Sequence, residues 1–221
     1  MVSTHSKIFT GLAALTLSLS SALPSMAATF AEGIDAGQTL GTAKVADSSA
    51  FGTPLDTITG SIAVTTGNAD LYQIYLTGGT FSANTNLTTG TLTDTQLFLF
   101  NASGIGVVWD DDTGTALLSQ FSISNVTAGI YYLGISGYNY DPISAGGQIF
   151  GTTPGGPTGV GGASPLTGWA FTSGTTTGSG PYTISLTGAT FVPEPSEVLG
   201  LLAFAGLGGA AFMKRRKQVS A

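Results

Sequence analysis

Short apolar stretches separated by Gly, Asn, Asp and Ser run through the middle of this chain, and none repeats with the period of a helix. That pattern confines the chain to β-structure. Strands are expected at Ile58–Val64, Leu71–Leu76, Thr80–Ala83, Gln96–Phe100, Val107–Trp109, Gln120–Val126, Ile130–Ser136 and Tyr182–Leu186. Several alternate: Tyr131, Leu133 and Ile135 share one face, with Tyr132 and Gly134 on the other. Leu97-Phe98-Leu99-Phe100 is apolar on both faces, which places it centrally with both sides covered, and Asn101 to Gly104 reads as its turn. About eight strands in a body of this length close naturally as a β-sandwich. A domain of that size buries roughly two-thirds of its unfolded surface and needs no disulfides.

Composition narrows the chemistry. The 221 residues include no cysteine, and the single histidine is His5. Disulfide scaffolds, cysteine- or histidine-ligated zinc, iron–sulfur clusters and His-dependent catalysis are excluded. Charged residues are 8% of the chain, against about 25% in an average domain. Residues 28 to 193 hold ten acids and one base, Lys44, for a net −9. Without clustered Lys and Arg this body is no nucleic-acid binder. Serine hydrolysis lacks a base. Asp112-Thr113-Gly114 matches the aspartic-protease tripeptide, but no second copy supplies the partner that chemistry needs. No catalytic residue is assigned, and the chain is read as a non-enzyme.

The two ends differ from the body. Met1 to Lys7 is a short n-region, and Ile8 to Leu19 is an apolar stretch too short to span a bilayer. Pro24 then breaks the helix, and Ser25-Met26-Ala27 offers small residues to a signal peptidase, so residues 1–27 read as a signal peptide cut after Ala27. At the other end, Pro193-Glu194-Pro195 precedes an uncharged apolar run, Val198 to Met213, and the basic cluster Lys214-Arg215-Arg216-Lys217. As a helix the run is about 24 Å long, a marginal transmembrane helix for a hydrocarbon core of about 30 Å. The basic cluster stays cytoplasmic by the positive-inside rule, which leaves the body outside. Residues 193–217, in this order and spacing, resemble the PEP-CTERM sorting signal. The resemblance implies processing by an exosortase-type membrane protease in a Gram-negative bacterium that makes extracellular polysaccharide. The alternative is an ordinary C-terminal anchor.

The body, residues 28–192, carries a second resemblance. Asp70-Leu71-Tyr72 opens a strand ending in Tyr75-Leu76, Thr95 to Phe100 follows, and Asp110-Asp111-Asp112 forms an acidic loop. Ala128-Gly129-Ile130-Tyr131-Tyr132 begins a further strand, and Gly180-Pro181-Tyr182-Thr183 the last. This order is similar to the bacterial pre-peptidase C-terminal domain, which implies a jelly-roll-like antiparallel β-sandwich appended to secreted proteins. Pro142 to Gly180 departs from it. This insertion is dense in Gly and Pro, with Ile149, Phe150, Trp169 and Phe171 as its few large apolar residues. It reads either as a functional element or as a loose surface loop.

Asp110, Asp111 and Asp112 are the one dense polar constellation. They read as a calcium loop, with Asp70 or Asp141 as further ligands, or as a solvated acidic turn. An EF-hand is excluded, because Phe121 stands where its last ligand belongs. Tyr138, Tyr140 and Trp169 either stack on sugar rings or anchor loops and core. The expected function is an exported surface or matrix protein serving adhesion or exopolysaccharide association. The alternative is a calcium-assisted carbohydrate-binding module; ice binding and hydrolysis rank below both.

Overall fold

The computed structural model describes residues 28–48, 52–63, 68–85, 92–172, 174 and 178–193. The expected signal and transmembrane helices, with Ala27, Glu194, Pro195 and the basic cluster Lys214 to Lys217, lie outside the described residues. Among those described the chain is all-β, without a helix. The strands are β1 (Thr29–Ala31), β2 (Lys44–Val45), β3 (Asp47–Ser48), β4 (Thr57–Ile62), β5 (Ala69–Leu76), β6 (Gly79–Asn84), β7 (Thr95–Asn101) and β8 (Gly106–Asp111). They continue as β9 (Gln120–Val126), β10 (Gly129–Gly137), β11 (Tyr140–Ser144), β12 (Gly147–Gln148), β13 (Leu166–Phe171), β14 (Gly180–Thr187), β15 (Ala189–Thr190) and β16 (Val192–Pro193). All eight strands expected from the sequence have a counterpart among them, though β4 ends at Ile62 and Val64 lies outside the described residues.

One sheet runs β1-β4-β14-β6-β9, and a second runs β15-β5-β10-β7-β8 with β2 also on β5. The long pairings are antiparallel, for example Leu133 opposite both Tyr72 and Leu99. The short strands β1, β2 and β16 pair in parallel with β4, β5 and β3. Alternation gives the two sheets a shared core. Ile58, Phe81, Tyr182 and Ile184 of the first sheet meet Ile74, Leu97, Leu99 and Ile135 of the second in one buried cluster.

Within the segment Pro142 to Gly180, residues 142–172 are not a loose loop. Strands β12-β11-β13 form a third sheet, and it covers the outer face of the second. Phe98, Phe100 and Trp109, which point away from the shared core, are buried there against Ile149, Phe150, Leu166 and Trp169. The Phe98 ring lies 5.9 Å from Trp109, stacked, and 5.3 Å from Trp169, edge-on. The few apolar residues of a Gly-rich stretch thus serve a surface that β7 leaves uncovered. Two glycines let this cap sit close. A Cβ on Gly134 would lie 3.1 Å from Trp169, and one on Gly106 would lie 2.7 Å from Ile149. The cap also finishes a sheet edge. Trp109 and Gly155 exchange backbone hydrogen bonds of 2.8 and 3.0 Å, pairing part of β8's free side. Trp169 donates its indole N–H to the Gln38 carbonyl at 2.7 Å, and Tyr140 stacks on it. Both residues therefore act as cap core, whereas Tyr138 is 46% exposed.

Candidate metal centres and groove

The acidic run splits because it ends a strand. Successive strand residues point to opposite faces, so Asp110 lies with Val108 on the inner side and Asp111 with Trp109 on the cap side. Asp110 is buried and hydrogen-bonded: its carboxylate accepts from the Thr113 hydroxyl at 2.7 Å and the Gln120 amide at 2.8 Å. It ties β8 to the start of β9. Asp111 instead meets Asp94 and Asp112, whose carboxylate oxygens come within 4.8 Å of one another. One oxygen each of Asp94 and Asp111 is buried without a hydrogen-bond partner. Burial first, then repulsion from Asp112, Asp94, Asp141 and Asp110, pushes the Asp111 carboxyl up to about 7.

A second acidic group forms without any mark in the sequence. Glu32, in the loop after β1, Asp35, and Asp70 on β5 also bring carboxylate oxygens within 4.8 Å of one another. Asp70 faces the shared core beside Tyr72 and is 0% exposed. The Tyr182 hydroxyl donates to its Oδ2 at 2.7 Å, and Tyr182 in turn shares a hydrogen bond with Tyr72. Asp70 Oδ1 has no partner among the described residues. Glu32 is held by the backbone N–H groups of Ala36 at 2.7 Å and Ser61 at 2.9 Å. Gly60 leaves the space, since a Cβ there would collide with the Tyr182 hydroxyl and with Glu32 Oε2. Burial pushes the Asp70 carboxyl up to about 8, offset by the Tyr182 bond and reinforced by Glu32 and Asp35.

A buried carboxyl in this position takes either a proton or a cation. Three oxygen ligands from side chains, one of them unpartnered, fit a hard cation such as calcium better than zinc. Of the ligands expected from the sequence, Asp111 and Asp112 belong to one such group and Asp70 to the other. Asp110 is committed to its turn, and Asp141 accepts from Thr172 at 2.7 Å. Glu32 and Asp35 carry no local signal beyond being acidic.

This arrangement sets the pH dependence. Asp70 ionises near pH 4 when unfolded and only at about 8 when folded. Between those values the folded state holds more protons than the unfolded one, so stability without metal falls as pH rises. Asp111 acts in the same direction up to about pH 7. A cation replaces the proton, so calcium should stabilise the protein more at pH 8 than at pH 5. Saturation at a hundredfold excess over Kd is worth about 2.7 kcal/mol. Urea unfolding at both pH values, in EDTA and in millimolar calcium, measures this. Asp70→Asn should abolish the larger part of the gain; coincident curves in EDTA and calcium at pH 8 would refute both metal sites.

Between β8 and β9, with Pro154 and Gly155 of the cap on its rim, lies a groove of about 600 Å³. Asn84, Asp110, Gln120 and Ser122 line it with Trp109 and Phe121. A smaller cavity of about 170 Å³ lies under the cap, bordered by Gln96, Asp111, Tyr138, Asn139, Asp141 and Thr172. No known protein family matches this chain, and no curated protein matches it significantly.

Proposed function

We propose that this chain is an exported, non-enzymatic cell-surface or extracellular-matrix protein of a Gram-negative bacterium, serving adhesion or exopolysaccharide association. Its scaffold is read as a jelly-roll-like β-sandwich of the pre-peptidase C-terminal type. Its route runs through signal peptidase after Ala27, transient anchoring in the inner membrane, and an exosortase-type protease acting at Pro193-Glu194-Pro195. The observation that carries the binding reading is the open groove between β8 and β9. Its Asn84, Gln120 and Ser122 side chains are of the polar type that meets sugar hydroxyls.

A second reading, a calcium-assisted carbohydrate-binding module, is favoured by the polar cavity beside Asp111 and Asp141. The exported protein on a glycan array, with and without EDTA, separates the two. Adhesion through the groove gives polysaccharide binding that survives EDTA and drops at least tenfold in Asn84→Ala/Gln120→Ala. Binding lost in EDTA supports the second reading. An array silent in both conditions overturns both.

A further inference from the structure

We infer that Asp56 is the seat of the mature amino terminus: cleavage after Ala27 converts the Ala28 amide into an α-ammonium, which the Asp56 carboxylate holds as an ion pair. The inference rests on the export reading and deepens it. The Ala28 backbone nitrogen donates to Asp56 Oδ2 at 3.0 Å. Both partners are fixed from other directions. The Asp56 amide donates to the Ala28 carbonyl at 3.0 Å, and the Asp56 carbonyl accepts from Leu186 at 2.8 Å. Ala28 packs on the shared core, and β1, which follows it, is in register with β4 from Thr29 opposite Thr57 onward. The first residue after the cut is therefore already placed by strand pairing.

Hydrolysis breaks the C–N bond between Ala27 and Ala28. The hydroxyl of water goes to the Ala27 carbonyl carbon and a proton to the Ala28 nitrogen. That amine takes a further proton from solvent below about pH 8. A neutral donor facing a carboxylate becomes a cation facing it, which adds Coulomb attraction to a hydrogen bond the carboxylate already strengthens. Charge makes the placement matter more. Lys44 is the only basic side chain among residues 28 to 193, so the new terminus doubles the positive groups of a strongly acidic body. Asp56 serves as a positioning counter-ion for it.

The test uses four proteins exported from the full chain by cells that cut signal peptides: wild type, Asp56→Asn, a form with one Gly inserted between Ala27 and Ala28, and the combination. Intact mass reports the terminus, and urea unfolding reports stability. In the wild-type background Asp56→Asn should lower the folding constant about tenfold. With the inserted Gly, the Ala28 amide still donates to Asp56 while the ammonium has moved one residue out, so the loss should shrink to about threefold or less. Equal losses in both backgrounds overturn the inference, since Asp56 would then accept from an amide only. If Asp56→Asn yields no folded protein, the Gly insertion alone decides: it should lower the constant severalfold, and no change overturns the inference. A mass that retains residues 1–27 overturns the export reading and this inference with it, whereas a terminus at Ala28 with equal losses overturns this inference alone.

Discussion

Phe98→Ala should lower the stability of the folded protein by about 3–5 kcal/mol, the range for removing a buried aromatic ring. Against a typical total of about 5–15 kcal/mol this is a large share. The side chain is fully buried, and Trp109, Phe150 and Trp169 all lie within 5.9 Å of its ring centre. No single neighbour can collapse into the hole without leaving another. Tyr138→Ala is the matching control, because Tyr138 is exposed on the turn before the cap and should change stability by less than about 0.5 kcal/mol. Tyr140 is unsuitable for that purpose, since it packs on Trp169 and Phe171 and donates to Gln38. Chemical denaturation of the two variants decides the matter. Equal midpoints would mean that β7 is not covered on its second face.

Trp169→Ala should cost about 3–5 kcal/mol as well, and it discriminates between a structured cap and a loose loop. The indole fills the hollow above Gly134 and closes a hydrogen bond to the Gln38 carbonyl. Its loss leaves a cavity and takes the partner from a half-buried carbonyl. Thermolysin should then cut between residues 145 and 165 much faster than in the wild type. Because Phe98 and Trp169 touch, the double variant should fall short of the sum of the singles. A Trp169→Ala protein as stable and as resistant to proteolysis as wild type would return the segment to a surface loop.

Much of the two sheets was legible because several strands alternate with a period of two and the others are short apolar stretches bounded by turn residues. Gln120–Val126 has the same bounds in sequence and structure. The double-sided apolarity of Leu97 to Phe100 correctly demanded a second cover. What supplied the cover was not legible. In Leu166-Thr167-Gly168-Trp169 and in Pro142-Ile143-Ser144 the apolar residues are too sparse to show a period, and Gly and Pro signal turns. Those strands form because the exposed face of β7 offers them a partner, a tertiary cause without a local trace. The terminal strands of two or three residues are invisible for the same reason.

The acidic sites show the same division. Asp110 to Asp112 stood out as a run, but adjacency in a strand separates side chains, and extending the strand past Trp109 by two residues would have parted Asp110 from Asp111. Asp70 is remote in sequence from Glu32 and Asp35. Only the parallel pairing of β1 with β4, and the position of Tyr182 on β14 beside it, bring them to one end of the core.

The cap leaves the second sheet after β10, and its two ends meet at a narrow neck before the chain goes on to β14 of the first. The Thr172 amide donates to the Asn139 carbonyl at 3.0 Å, and Tyr140 is in register with Phe171. A lobe whose two ends meet can detach as a unit without unthreading any strand of the sheets beneath it. Its internal pairings span short stretches of chain, whereas the shared core joins residues as distant as Asp70 and Tyr182. Opening should therefore have two levels in a hydrogen-exchange measurement, with the lobe's amides exchanging through a smaller, sub-global event and those of β5, β7 and β10 only through global unfolding. The smaller event would bare Phe98, Phe100 and Trp109 together, and the seal on this aromatic face is as strong as the lobe's own docking.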